Sequence, residues 1–234
     1  MKLAVDIGNT RTKAALFEEE RLLEAWENLP SDEIETLCTR HGVTRIVLSN
    51  VASPEREPKF PCGIDIHRLS SSSRLPIVLD YDTPETLGAD RIADAVGAWT
   101  LYPGTPLVVI DAGTCITVDY VDRTGIYRGG AIVPGINMQL QALHHFTNRL
   151  PYEPRPVSQP STIGRNTKES IHAGTVGSLL TTLQAWVAQA RTAQADTRVV
   201  VTGGDASYLT NQISLGLHDP HLLLRGLNAI LDIN

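Results

Sequence analysis

The sequence predicts an α/β fold built from two similar halves, each with the element order βββαβα, that face each other across a cleft. An apolar strand, an Asp-x-Gly turn with a following Thr, and a second strand occur at Asp6 and again at Asp111. A third strand-like segment, then helix-like and strand-like segments, follow both copies, which indicates an internal duplication. We expect domains over residues 1–103 and 104–234.

Composition narrows the class of protein before any motif is considered. The chain has 234 residues, 42% of them apolar, and a net charge of −6. An acidic surface argues against general binding to nucleic acid or to an anionic membrane. Three widely spaced cysteines, Cys38, Cys62 and Cys115, offer neither a disulfide framework nor a zinc knuckle. We expect a cytoplasmic protein without a signal peptide or membrane span.

The first half begins with three strands, at residues 2–7, 12–17 and 21–28, where apolar and polar residues alternate. Ser31 is the expected N-cap of a helix that ends near residue 42, and a strand follows at 44–49. Residues 52–75 are rich in proline and serine, which predicts a loop with one short strand near 64–67.

The first turn, Gly8-Asn9-Thr10, follows Asp6 at the end of the first strand. Gly and Asn tolerate the positive φ of tight turns. Main-chain N–H groups of such a turn can hold polyphosphate oxygens, and Asp6 can hold a divalent cation through water. A plain hairpin with a buried or capping Asp fits this string equally well.

A helix is predicted over residues 89–101, with a core face that includes Ile92 and Trp99. Asp90 and Arg91 fall in its first turn. The helix dipole favours Asp90 there but disfavours Arg91, so stability alone does not explain the arginine. We interpret Arg91 as a clamp for a carboxylate or phosphate and Asp90 as an acceptor for a hydroxyl proton.

The second half repeats the strand–turn–strand unit around Asp111. After it we expect a strand at 126–132, helices at 136–149 and 166–191, a strand at 198–202, and helices to the end. Two ribonuclease-H-like halves of this kind would bring both turns to the polyphosphate of one nucleotide.

Several later residues have ordinary structural explanations. Gly130 would permit a close backbone approach in a segment lining the cleft. The turn at 203–205 could approach adenine or ribose, but Asp205 is more simply an N-cap. His144 and His145 are expected at the surface or an interface. Cys115 is expected to be a small buried thiol.

The motifs in combination resemble the type III pantothenate kinases of the acetate-and-sugar-kinase, Hsc70 and actin superfamily. The segments that carry the resemblance span nearly the whole chain: 6–13, 88–91, 111–114, 129–135, 164–167, 202–205 and 224–228. The resemblance implies ATP-dependent phosphorylation of the primary hydroxyl of pantothenate, the first step of coenzyme A synthesis. It also implies Mg²⁺, a monovalent cation such as K⁺ or NH₄⁺, and a homodimer.

The resemblance also implies roles for individual residues. Asp90 matches the proton acceptor, Asp111 the monovalent-cation ligand, and Asp6 lies on the magnesium side. ATP contacts match the residues Asp6, Ile7, Gly8, Asn9, Thr10, Arg11, Thr12, Lys13 and Thr114. Pantothenate contacts match Tyr81, Gly88, Ala89, Asp90, Arg91 and Thr167, the last of which would reach a neighbouring subunit's site.

Two other functions share parts of this pattern. An actin-like or regulatory ATP-binding protein would need the two Asp-Gly-Thr turns but not Tyr81, Asp90 and Arg91. A different small-molecule kinase or phosphatase on the same fold should lack the match at residues 88–91.

Overall fold

The computed structural model describes residues 1–8, 10–52, 54–70 and 72–234 and divides into two compact units. The first unit comprises Met1–Thr105, Val121–Gly129 and His221–Asn234, and the second comprises Pro106–Tyr120 and Gly130–Pro220. The predicted division at 103/104 treats each half as contiguous. The compact units are not contiguous, because residues 121–129 and the C-terminal helix belong to the first.

The described residues form eleven strands and seven α-helices. The strands are β1 (Lys2–Ile7), β2 (Thr12–Glu18), β3 (Arg21–Glu27), β4 (Arg45–Asn50), β5 (Asp65–Arg68), β6 (Val78–Leu79), β7 (Leu107–Ala112), β8 (Cys115–Val121), β9 (Ile126–Pro134), β10 (Arg198–Thr202) and β11 (Leu217–His218). The helices are α1 (Ser31–His41), α2 (Ala89–Leu101), α3 (Ile136–His145), α4 (Thr167–His172), α5 (Ser178–Ala193), α6 (Ala206–Gln212) and α7 (Leu222–Asp232).

The first sheet has the strand order β3-β2-β1-β4-β5. Its central strand β1 is antiparallel to β2 and parallel to β4, and helix α1 makes the connection that a parallel pair requires. Every residue of β1 is buried, since both faces of the strand are covered. The apolar core here is formed by Leu3, Val5, Ile7, Leu16, Ile34, Ile46 and Leu48 with their neighbours.

The second sheet repeats this order, because β9-β8-β7-β10-β11 corresponds strand for strand to β3-β2-β1-β4-β5. The short strand β6 is added beside β9, where Leu79 pairs with Tyr127 within the first unit. The second unit has its own core, which includes Val108, Ile110, Ile116, Leu180, Leu183, Val199 and Val201. Two sheets with the same order confirm the predicted duplicated ribonuclease-H-like α/β fold.

Helices α2 and α7 pack closely in the first unit because glycines meet backbone at their crossing. A Cβ on Gly226 would lie 1.8 Å from the carbonyl oxygen of Ala93, and one on Gly97 would lie 2.3 Å from that of Leu222. Neither position has room for a side chain. This packing fixes the position of α2, the helix whose first turn carries Asp90 and Arg91.

The elements differ from the sequence prediction at several helix ends. Helix α1 begins at Ser31 itself with Pro30 as N-cap, so the predicted N-cap is displaced by one residue. Helix α3 ends at His145 rather than near 149, where the Thr147 hydroxyl donates to the Leu143 carbonyl and Leu150 N–H donates to that hydroxyl.

The predicted helix over 166–191 is interrupted. Asn166 is its N-cap and accepts a hydrogen bond from the N–H of Glu169. A π-helical turn over Ala173–Gly177 separates α4 from α5, and α5 continues to Ala193. The two-residue strands β6 and β11 were not predicted, since two residues carry no recognisable periodicity.

No helix among the described residues has both the length and the apolar character needed to cross a membrane.

Candidate functional site

The turn after Asp6 connects the central strand β1 to β2. Ile7 and Thr12 form the last pair of the ladder, and the N–H of Gly8 donates to the carbonyl of Arg11 across the loop at 3.0 Å. Asp6 is buried at the end of the strand, with 6% of its surface exposed. Asn9, a predicted ATP contact, lies outside the described residues.

Polar side chains from two neighbouring strands meet Asp6 in the sheet. Lys13 is opposite Asp6 on β2, and the fully buried Ser49 is opposite it on β4. Directly opposed residues project to the same face of a sheet, so a carboxylate, an ammonium and a hydroxyl are grouped there. Ser49 was not predicted, because it lies in an apolar run that indicates only a buried strand.

Arg56 also belongs to this turn and was missed. Its guanidinium donates to the carbonyl of Gly8 at 2.8 Å from a short 3₁₀ turn over Pro54–Arg56. The sequence predicted only a loop there, and no local signal marks one arginine of a loop as close to a turn 48 residues away.

The remaining predicted ATP contacts of this segment have different surroundings. The Ile7 side chain lies in the apolar core and its carbonyl accepts from the N–H of Val51, so only its main chain faces the turn. Arg11 is exposed and pairs with Glu27 at 3.4 Å. Thr12 is buried.

The turn after Asp111 is shorter, with Gly113 and Thr114 as the only residues between β7 and β8. The N–H of Gly113 donates to the carbonyl of Cys115 at 3.0 Å. A Cβ on Gly113 would lie 3.7 Å from the Asp111 carboxylate, and one on Gly8 would lie 3.9 Å from that of Asp6. Each turn therefore places a glycine beside the carboxylate that precedes it.

Two further glycines lie close to the second turn and to Asp111. A Cβ on Gly203, whose φ is +93°, would lie 2.2 Å from Oδ1 of Asp111. One on Gly135 would lie 2.4 Å from the carbonyl oxygens of Gly113 and Thr114. The backbone thus encloses Asp111 where a side chain would collide with it.

The prediction that Cys115 is a buried core thiol was wrong, because Cys115 is exposed. It is the first residue of β8, directly after the turn, and the neighbouring Ile116 occupies the core instead. In a strand with alternating faces, an apolar run does not reveal which residue begins the buried face.

The first turn of α2 holds Asp90 and Arg91 as predicted. Gly88 is the N-cap residue, and Oδ1 of Asp90 accepts a hydrogen bond from the N–H of Arg91 at 2.8 Å. This bond directs the carboxylate toward the N-terminal end of the helix, where N–H groups lack helical partners. Asp90 is half-buried, and Arg91 is buried with 6% of its surface exposed.

Arg91 has an aromatic neighbour that the sequence did not indicate. Its guanidinium carbon lies 6.0 Å from the centre of the Tyr127 ring, and the Tyr81 ring centre lies 6.0 Å from the same ring, inclined by 60°. Two predicted pantothenate contacts, Tyr81 and Arg91, are thus brought together around Tyr127 in the first unit.

The other singled-out motifs lie in the second unit. Gly130 permits a close approach as predicted, since a Cβ there would lie 1.9 Å from the Val118 carbonyl oxygen. Asp205 occupies the N-cap position of α6 but makes no capping bond, and its carboxylate pairs with Arg155 instead. His144 and His145 are exposed as predicted, and Thr167 is exposed at the start of α4.

As far as the structure describes them, the two turns offer a cation one carboxylate each and do not form a complete set of protein ligands around it. Among the described residues no group of three or more His, Cys, Asp or Glu side chains is gathered as a metal site. A single carboxylate at each turn leaves most ligand positions to water, phosphate and main-chain oxygens. Mg²⁺ on a nucleotide is bound in this manner, so the single carboxylate of Asp6 fits the predicted Mg²⁺. The Asp111 carboxylate offers an oxygen ligand to the predicted monovalent cation.

The chain matches the family model of type III pantothenate kinases over residues 2–189. It is 37% identical to a type III pantothenate kinase of Bacteroides fragilis, an alignment that covers 100% of this chain and 98% of the relative.

Solved structures with lower identity share the fold. A Campylobacter jejuni protein named as a "conserved putative Baf family transcriptional activator" has a TM-score of 0.61 at 20% identity, covering 98% of this chain and 97% of that one. A glucokinase from an Antarctic psychrotroph has a TM-score of 0.51 at 12% identity, covering 100% and 99%. Because the family model and a full-length relative agree, this chain belongs to the type III pantothenate kinase family.

Proposed function

We propose that Asp90 accepts the proton of the pantothenate hydroxyl while this chain carries out its family's reaction. That reaction is the ATP-dependent phosphorylation of pantothenate, the first step of coenzyme A biosynthesis. The hydroxyl oxygen attacks the γ-phosphorus, the bond to the bridging oxygen breaks, ADP leaves, and the proton passes to the Asp90 carboxylate.

The placement of Asp90 carries this proposal. Its carboxylate is held by the N–H of Arg91, and the glycine at position 88 leaves the space beside it clear of side chains. A carboxylate in a fixed orientation at a helix N-terminus can align a hydroxyl for in-line attack. Phosphoryl transfer asks for such positioning more than for strong basicity.

Arg91 completes the acceptor half of the site. Pantothenate carries one carboxylate, and a buried guanidinium can bind it through paired hydrogen bonds. We propose that Arg91 binds this carboxylate and that Tyr81, Gly88, Ala89 and Thr167 provide the remaining substrate contacts. Thr167 would do so across a homodimer.

For the nucleotide we propose the two glycine turns. The segment Asp6–Lys13 and Thr114 would hold ATP, Asp6 would hold Mg²⁺ through water, and Asp111 would hold K⁺ or NH₄⁺. When bound, the cations neutralise charge on the phosphates during transfer. Arg56, which donates to the Gly8 carbonyl, adds a positive charge beside the first turn.

A homodimer and a cytoplasmic location are also part of the proposal. An open, mostly apolar surface groove of about 780 Å³ lies along α3, lined by Met138, Phe146 and Tyr152 among others, and Phe146 is 82% exposed. Exposed apolar surface of this kind is typical of a subunit interface. Three free cysteines fit a reducing compartment.

Steady-state turnover tests these roles. Pantothenate-dependent ADP release should occur in the wild type, should increase with K⁺, and should fall by at least about 100-fold in kcat for Asp90→Asn. Asp82→Asn, a change at an exposed residue of the preceding loop, is the matched control and should retain activity. Full activity of Asp90→Asn would refute only the role of Asp90, whereas inactivity of the wild type with pantothenate would refute the reaction.

A further inference from the structure

We propose that Tyr127 is a positioning residue for pantothenate, whose buried ring fixes the orientation of both Arg91 and Tyr81. No sequence motif includes Tyr127, and it lies 36 residues beyond Arg91 in the chain. The proposal rests on the substrate roles proposed above for Arg91 and Tyr81.

Tyr127 is the largest side chain in the structure that is fully buried, with 0% of its surface exposed. Because the Tyr127 ring is buried, any effect that it has on substrate binding must pass through neighbouring side chains. Its ring is the common neighbour of the Arg91 guanidinium and the Tyr81 ring, each 6.0 Å from its centre. One rigid group thus stands behind two side chains that come from different elements.

The backbone ties the same residues together. Leu79 of β6 pairs with Tyr127 of β9, and the N–H of Asp80 donates to the Tyr127 carbonyl at 3.0 Å. Tyr81 is the next residue after Asp80, so this backbone pairing also fixes where Tyr81 lies relative to Tyr127. Gly129 extends this contact, since a Cβ there would lie 3.6 Å from the Tyr81 ring.

The distances decide what kind of effect the ring has. A guanidinium carbon 6.0 Å from a ring centre is at the outer limit of a cation–π interaction, so direct attraction is weak. Packing is the stronger contribution, because a buried arginine held against a rigid ring has few other orientations. The electron-rich ring face also offsets part of the cost of placing Arg91 at the positive end of α2.

A purely structural role would lower stability without regard to substrate. A positioning role instead predicts a selective change: the KM for pantothenate should rise while the KM for ATP stays the same. Tyr127→Leu and Tyr127→Met both remove the ring. Met has about the same volume as Leu but a flexible, unbranched chain, so it provides a second ring-free variant should Leu prove too unstable. Tyr127→Phe keeps the ring and should restore substrate affinity.

The experiment measures KM for both substrates, kcat and Tm in these variants and in two controls. Phe17→Leu removes another aromatic side chain that is only 1% exposed, from β2 of the same unit, and should lower Tm without changing the KM for pantothenate. Arg91→Gln reports whether the arginine binds the substrate at all. We expect the KM for pantothenate to rise about tenfold in Tyr127→Leu and Tyr127→Met and to stay within about twofold in Tyr127→Phe.

The outcomes separate this proposal from the function it rests on. A raised KM in Arg91→Gln with an unchanged KM in the folded ring-deleted variants overturns the role of Tyr127 alone. An unchanged KM in Arg91→Gln removes the substrate role of Arg91 and overturns the proposal that Tyr127 acts on both side chains. If Phe17→Leu and Tyr127→Leu raised the KM for pantothenate and the KM for ATP by equal factors, Tyr127 would be an ordinary core residue.

Discussion

Gly88 lies so close to Asp90 that a Cβ at position 88 would be 2.4 Å from Oδ1 of the Asp90 carboxylate. Position 88 therefore requires glycine because of the carboxylate two residues later. The backbone conformation does not require it, since any residue can adopt a φ of −57°. The proposed proton acceptor can keep its orientation only while position 88 lacks a side chain.

We expect Gly88→Ala to lower kcat by about 100-fold, because displacing a reacting group by an ångström has an effect of that size. The protein should remain folded, since the residue is half-buried at a helix start. Gly174→Ala is the matched control, as a Cβ there meets nothing within 4 Å. Wild-type kcat in Gly88→Ala would show that the Asp90 orientation seen here does not matter for turnover.

Gly203 has a similar relation to Asp111 in the second unit, with the added constraint of a positive φ. We expect Gly203→Ala to raise the K⁺ concentration for half-maximal activation by about tenfold or more, because supporting groups around a cation ligand have effects of this order. Gly63→Ala separates the causes, since Gly63 has a φ of +85° but nothing within 4 Å. If Gly63→Ala raised the K⁺ concentration for half-maximal activation as much as Gly203→Ala does, the effect would be assigned to backbone strain and not to the contact with Asp111.

Much of the fold follows from sequence because its elements have clear periods. Helix α2 has the predicted bounds, 89–101, since its apolar face recurs every three to four residues. Duplication was visible because the same turn follows an apolar strand twice. The sequence did not reveal that α7 and residues 121–129 complete the first unit, since long-range packing leaves no local pattern.

The candidate site was predictable to the same extent. Asp90, Arg91 and the two turns stand in recognisable strings. Ser49 and Arg56 come close to the first turn, and Tyr127 to Arg91, only through strand pairing and loop folding. The contact between Tyr127 and Tyr81 in particular depends on the pairing of β9 with the two-residue strand β6, which has no sequence signature. Neighbours of this kind are therefore found only in the structure.

The hairpin between β8 and β9 should make stability depend on acid pH. Burial alone would raise the pKa of Asp122, but hydrogen bonds from Thr124, from the Ile126 N–H and from Arg128 outweigh it and hold that pKa well below its usual range. A depressed pKa in the folded state stabilises the fold above the unfolded pKa of about 4, and this stabilisation is lost as pH falls below it.

We therefore expect Asp122→Asn to lower the free energy of unfolding by about 2 kcal/mol at pH 7, as charged hydrogen bonds are lost. The difference from wild type should shrink toward pH 3. Asp65→Asn is the control, because Asp65 forms an exposed pair with Arg45 at 3.3 Å that should contribute little. Denaturant titration at both pH values measures the effect, and a pH-independent difference would contradict this explanation.

The three free thiols should differ in reactivity. Burial raises the pKa of Cys38 to about 11, whereas Cys62 and Cys115 are exposed. Because the thiolate is the reacting species, a pKa of about 11 leaves about one Cys38 in a thousand ionised at pH 8. An aromatic disulfide reagent should therefore modify two thiols rapidly in the native protein and the third only after unfolding.

Cys38→Ala should leave the rapid phase intact, and Cys115→Ser should halve it. Rapid reaction of all three thiols in the folded protein would show that the α1 packing around Cys38 opens readily in solution.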